Sequence, residues 1–152
     1  MAIKTGVDAP DFELEDQSKA KFKLSDSKGK KNVVLLWYPL DWSPTCEKEN
    51  CSLVGDFGVV GDAGTEVVAI SRDSTWSHAA WASSKGIKHR LLADPLLETT
   101  DKYDLRHPAK FISHRATVIV DKAGKVAFVQ VQEKTTEARD MKAVKDALSK
   151  LK

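Results

Sequence analysis

The sequence predicts an α/β fold, and three observations carry that reading. Short runs of β-branched and apolar residues recur at 32–38, 65–71, 115–121 and 126–131, each of strand length. Segments that tolerate helix lie between and after them, at 45–59, 75–85, 96–103 and 136–152. Strands alternating with helices, and closing on a hairpin and a helix, are the pattern of α/β layers. The 152 residues suffice for one domain over 1–152 with a proper core, and no repeat or low-complexity tract interrupts them.

In order along the chain, Gly6-Val-Asp-Ala-Pro10 is an irregular lead-in. Phe12, Leu14, Phe22 and Leu24 then alternate with polar residues, which predicts an antiparallel hairpin with one buried face and its turn at 16–20. Residues 25–31 form a polar loop with room for one helical turn. The run 32–38 is a buried strand that Pro39 ends. The helix starting near Thr45 extends through Leu53 and Val54 toward Val59, weakened by Gly55 and Gly58. Strand 65–71 follows, then a helix over 75–85 capped by Ser74 and ended by Gly86. Its inner side is expected at Trp76, Ala80 and Ser83–Ser84, with Trp81 near an edge. A short strand at 89–94 is closed by Pro95, a short helix covers 96–103, and 105–113 is a loop. Strands 115–121 and 126–131 are joined by Lys122-Ala-Gly-Lys125, with Gly124 suited to positive φ. The last helix, 136–152, carries Ala138, Met141, Val144, Ala147, Leu148 and Leu151 at three-to-four spacing.

Composition excludes several classes of function. Hydrophobic residues are 41% and charged residues 30%, a soluble globular balance that argues against disorder. A net charge of +2 gives no reason to expect nucleic acid or membrane as a partner, and Lys28-Gly-Lys-Lys31 reads as a solvated turn. Met1 to Ala20 is studded with charges and lacks a signal peptide's apolar core. No apolar run approaches the ~20 residues that span a bilayer. A cytoplasmic address follows. In a reducing compartment, two cysteines are more often catalytic, redox-active or metal-binding than a permanent staple.

Both cysteines lie in one stretch, Trp37-Tyr-Pro-Leu-Asp-Trp-Ser-Pro-Thr-Cys-Glu-Lys-Glu-Asn-Cys51. Pro44 pushes Ser43 to extended geometry, and the acids after Cys46 suit a helix's first turn. Cys46 is therefore expected at a helix N-terminus on top of a buried strand. Unsatisfied N–H groups and the helix dipole stabilise a thiolate there, lowering its pKa from ~8.5 into roughly the 3.5–7.5 range. The bland alternative is an inert core cysteine, for which a polar helix start beside prolines is a poor site.

Pro39, Ser43 and Cys46 have the spacing of the peroxiredoxin signature, Pro-x3-Thr-x2-Cys, with Ser43 in the threonine position. Glu49 matches a residue common in that family. Ser43-Pro-Thr-Cys46, followed by Cys51, resembles the Q-type or bacterioferritin-comigratory branch, whose pattern is Thr-Pro-x-Cys-x4-Cys. Gly6-Val-Asp-Ala-Pro10 and Phe12 resemble the Gly-x-x-Ala-Pro-x-Phe opening of peroxiredoxins. The resemblance covers nearly the whole chain and implies a thioredoxin-like fold with an N-terminal β-hairpin.

It also implies a thiol peroxidase that needs no metal, haem or flavin, acting on hydrogen peroxide or organic hydroperoxides. Cys46 would attack one peroxide oxygen and become a sulfenic acid while water or an alcohol leaves. The O–O bond is weak, so the protein's task is alignment and stabilisation of the charge moving onto the oxygens. Ser43 keeps the threonine's hydroxyl without the methyl that restricts χ1. Pro39 lacks an N–H and can cover the sulfur. Arg115, six residues before Asp121 as the family's arginine is, can hold the thiolate and bind both peroxide oxygens. Glu49 can orient an arginine. The plain alternatives are a turn serine, a strand-ending proline, a salt-bridge arginine and a solvated carboxylate. Cys51 would resolve the sulfenic acid as a disulfide, or merely pack. On one regular helix, positions 46 and 51 would lie roughly 8–9 Å apart on different faces. A disulfide needs about 7 Å or less, so resolution would require the helix to unwind.

Two other readings compete. A thiol–disulfide oxidoreductase on the same fold lacks its usual Cys-x-x-Cys pair, and a redox-inactive binding domain has Ser43 as its only hint. The histidines at 78, 89, 107 and 114 share no metal-ligand spacing with the cysteines. The resemblance implies a thioredoxin-like reductant. The chain lacks the C-terminal Tyr-Phe motif of decamer-forming peroxiredoxins and ends at its last helix, so a monomer is expected, with a dimer as the alternative.

Overall fold

The structure, a computed structural model, describes residues 2–45 and 64–151. Five strands form one sheet in the order β5-β4-β3-β6-β7. They are β3 (Asn32–Trp37), β4 (Thr65–Ser71), β5 (Arg90–Ala93), β6 (Ala116–Val120) and β7 (Val126–Val131). β3, β4 and β5 run parallel; β6 and β7 are antiparallel to their neighbours. A separate hairpin pairs β1 (Glu13–Glu15) with β2 (Lys21–Lys23), leading into a 3-10 turn at Leu24–Ser27. Among the described residues the full helices are α1 (Thr75–Lys85), α2 (Glu98–Lys102) and α3 (Met141–Ser149); the helix expected over 45–59 lies, beyond Thr45, outside them.

The central strand explains why its sequence is apolar without alternation. Every residue of β3 is buried, because both sheet faces are covered. Val33, Leu35 and Trp37 point into one core with Phe12, Phe22, Leu24, Tyr103 and Leu105. Val34 and Leu36 point into the other, with Trp81, Val144 and Leu148. The hairpin turn is built on Asp16, whose Oδ1 accepts from the N–H groups of Ser18 and Ala20. The Gln17 side chain bonds both His89 O and Leu91 N–H, covering the open edge beside β5. At the other end of the sheet Gly124 turns with φ of 83°, and Asp121 Oδ1 accepts from Ala123 and Lys125 N–H.

All three described helices differ from the sequence expectation. On α1 the buried residues are His78, Trp81 and Ala82, whereas Trp76 is 73% exposed with the Lys19 ammonium over its ring. The inward stripe includes a histidine that is hydrogen-bonded inside the protein, which an apolar pattern does not count. The final helix begins at Met141 rather than 136. Asp140 caps it, accepting from Ala143 N–H at 3.1 Å. The preceding backbone is held off the helix by side chains: Gln130 bonds Asp140 through both amide atoms, and Gln132 donates to Ala138 O. α2 is also shorter than expected. Its free N–H groups at Thr99 and Thr100 are taken by buried Asp94.

Candidate active site

Antiparallel pairing brings the C-terminal end of β3 beside the N-terminal end of β6, with Trp37 opposite Ala116. The chain leaving β3 carries Pro39 and Ser43; the residue entering β6 is Arg115. Topology therefore joins segments more than seventy residues apart in sequence, outside the carboxyl ends of the parallel strands, where α/β sheets commonly bind ligands. Pro39, Ser43 and Arg115 line one cleft of about 270 Å³ together with Leu40, Pro44, Thr45, Lys110, Ile112, Thr135 and Thr136. Thr45 precedes Cys46 directly. Cys46, Glu49 and Cys51 themselves lie outside the described residues.

Arg115 is 1% exposed. A buried guanidinium needs acceptors to offset its lost hydration. Its Nε and Nη2 donate to Thr135 O at 3.1 and 2.8 Å, while its own carbonyl accepts from Gln132 N–H. One edge of the fork is thus clamped by the segment ahead of α3, which fixes the plane of the group toward the cleft wall. The Ser43 hydroxyl donates to Leu40 O at 3.2 Å. With its hydrogen used there, the oxygen keeps lone pairs to accept from a ligand. Donation to a thiolate would require release from Leu40. Pro44 and Thr45 have helical backbone, and proline suits a first helical position because its missing N–H would have no partner there.

The loop between β3 and Thr45 is pinned at several points. Tyr38 O accepts from Ser113 Oγ, and Asp41 N–H donates to Asp73 Oδ2 at 2.8 Å. Trp42 sits in the left-handed region at φ of 70°, a conformation costing a bulky residue about 1–3 kcal/mol that neighbouring contacts must hold. It is 47% exposed, its ring 6.5 Å from that of Trp81. Below the loop, Tyr38 OH donates to Asp41 Oδ1 at 2.5 Å. Burial, then the Asp41 carboxylate, push the Tyr38 phenol well above its usual range, so it remains a donor.

Arg139 joins Arg115 at the junction of β3 and β6, and the sequence does not mark it. Arg139 is 7% exposed. Its Nη1 donates to Ala116 O and Thr117 Oγ1 and its Nη2 to Trp37 O, bridging the ends of β3 and β6 under the cleft. Nothing in the sequence marks it, since it lies in a mixed-charge run that reads as a helix surface. Asp41 and His78 carry no sequence signal either, since they lie 37 residues apart and meet only in three dimensions. Among the described residues no three His, Cys, Asp or Glu side chains gather as a metal site. Nor is any described helix long and apolar enough to cross a membrane.

Comparison with known proteins gives one consistent answer. The sequence model of the AhpC/TSA family matches residues 5–129. The chain is 30% identical over 151 residues to alkyl hydroperoxide reductase E of Mycobacterium tuberculosis, covering 98% of both chains. Among solved structures, peroxidoxin BcpB from the same organism superposes with a TM-score of 0.83 at 28% identity, covering 99% of each chain. The reduced 2-Cys peroxiredoxin of Plasmodium vivax gives 0.87 at 27% identity, over 97% of this chain and 96% of the other.

Proposed function

The chain belongs to the AhpC/TSA family of peroxiredoxins and is a thiol peroxidase on a thioredoxin-like fold; on that premise we propose that Cys46 is its peroxidatic thiol. The observation that carries the assignment is the convergence of Pro39, Ser43 and Arg115 on one cleft that also includes Thr45, the residue before Cys46. In this reading the Cys46 thiolate attacks one peroxide oxygen. The S–O bond forms as the O–O bond breaks, and the departing oxygen takes a proton and leaves as water or an alcohol. Arg115, already anchored on Thr135 O, steadies the charge spreading over the two oxygens. Ser43 accepts a hydrogen bond from the peroxide, and Pro39 screens the sulfur from water. Glu49 orients the arginine.

Cys51 then attacks the sulfenic sulfur, expelling water and leaving a disulfide that a thioredoxin-like dithiol protein reduces by two exchange steps. The Q-type branch is favoured by Ser43-Pro-Thr-Cys46-x4-Cys51 and by likeness to peroxidoxin BcpB. Alkyl hydroperoxide reductase E suggests organic hydroperoxides as substrates beside hydrogen peroxide. The deciding variant is Cys46→Ser, which should fold and consume peroxide no faster than buffer. Turnover above that level in the variant would remove Cys46 from the role.

A further inference from the structure

The cleft is only as well defined as the loop that carries Pro39 and Ser43, and that loop rests on a buried pair the functional reading does not use. His78 of α1 is fully buried and the Asp41 side chain is wholly covered. His78 Nδ1 lies 2.7 Å from Asp41 Oδ2, and Nε2 lies 3.1 Å from Leu92 O. Both ring nitrogens are thus committed, one to the loop and one to β5. A backbone carbonyl can only accept, so Nε2 donates to Leu92. Asp41 also takes the Ser77 hydroxyl at 2.9 Å on Oδ2 and the Tyr38 hydroxyl on Oδ1, and its N–H is bound by Asp73. Asp73 is in turn bonded by Ser71 Oγ at 2.6 Å.

We propose that His78, acting through Asp41, is a positioning residue for the peroxidatic loop, and the proposal rests on Cys46 being the reactive thiol. The pair ties the loop at one point to α1 and β5. The tie falls immediately before Trp42, whose left-handed backbone needs holding, and two residues before Ser43. Without it the loop can relax away from the geometry in which Ser43 and Pro39 face Arg115. Neither residue lines the cleft, so the effect is on alignment and not on contact with peroxide. Alignment errors of about 1 Å cost on the order of 100-fold in rate, which makes a distant hydrogen bond measurable.

The test compares His78→Phe, Asp41→Ala and Asp41→Asn with the parent protein at about pH 9.5, above the ordinary thiol pKa of ~8.5, so that thiolate supply does not differ. Two rates are read on the reduced protein: oxidation of Cys46 by hydrogen peroxide, followed by tryptophan fluorescence, and alkylation by iodoacetamide, which needs no alignment with Ser43 and Arg115. Expected is a fall of about 10- to 100-fold in the peroxide rate for His78→Phe and Asp41→Ala, with alkylation nearly unchanged. Asp41→Asn should regain most of what Asp41→Ala loses, because the asparagine amide can donate to Nδ1 while Nε2 still donates to Leu92. A folded His78→Phe protein with the parent's peroxide rate overturns the proposal, as does a parallel fall in both rates. Should His78→Phe fail to fold, the two Asp41 variants decide, and Asn falling as far as Ala overturns it. Failure of the functional reading shows separately, in parent protein whose Cys46 peroxide does not oxidise, and the proposal falls with it.

Discussion

Ser43 is where this chain departs from its family's signature, and its hydrogen bond shows what the departure leaves intact. The hydroxyl is oriented by donation to Leu40 O, so the backbone supplies some of the restriction that a threonine methyl would. Ser43→Thr should therefore retain activity, with a gain of at most about threefold from choosing one of three χ1 wells. A large loss in peroxide rate would mean the cleft is packed around serine. The tyrosines make a second residue-scale prediction. Burial raises both Tyr38 and Tyr103, aided by Asp41 and Asp11 respectively, and the chain has no others. In the unfolded chain they ionise near ~10. A folded pKa above the unfolded one stabilises the protein fully below pH ~10, and that stability is lost as pH rises beyond it. Tyrosinate absorbance should stay flat to about pH 11 in the folded protein and rise near 10 in denaturant; a rise near 10 in the folded protein would contradict the burial argument. That Pro39, Ser43 and Arg115 belong to one cleft was legible from family resemblance, through the signature spacing for the first two and the place six residues before Asp121 for Arg115. Asp41, His78 and Arg139 were not, because buried polar partners leave no periodic trace.

The strands were readable wherever burial on both faces removed alternation, as in β3. The helices were readable only to the extent that their inward stripe was apolar. The inward face of α1 differs from its apolar stripe because His78 faces inward, and α3 starts later than its spacing predicts because Gln130 and Gln132 bond the backbone of Asp140 and Ala138 while Arg139 reaches across to β3 and β6. Ala138, counted as a helical position, instead accepts from Gln132. The segment carrying both cysteines gives the element-scale prediction. Positions 46 and 51 on one regular helix are too far apart and too divergent to bond. One equivalent of peroxide should therefore raise amide exchange over 43–55 relative to the reduced protein, as local opening joins the two sulfurs. An intramolecular disulfide with unchanged exchange there would defeat the argument.

Across the whole molecule, the thioredoxin-like order of elements was recoverable from alternating strands and helices together with family resemblance. The side-by-side placement of β3 and β6 was not, since the strands are separated by nearly eighty residues and no local signal states which pair. That pairing is nonetheless what makes the cleft, by bringing the loop after Trp37 against Arg115, with Arg139 bridging beneath. The central claim is that this junction serves Cys46. It is tested most directly by treating the reduced protein with one equivalent of hydrogen peroxide, with and without a sulfenic-acid trapping reagent, and mapping the products by peptide mass spectrometry. The trapped sulfenic acid should appear on Cys46 alone, and without the trap a Cys46–Cys51 disulfide should replace it. Sulfenic acid on Cys51 with Cys46 unmodified, or two cysteines that both survive peroxide as thiols, would contradict the account.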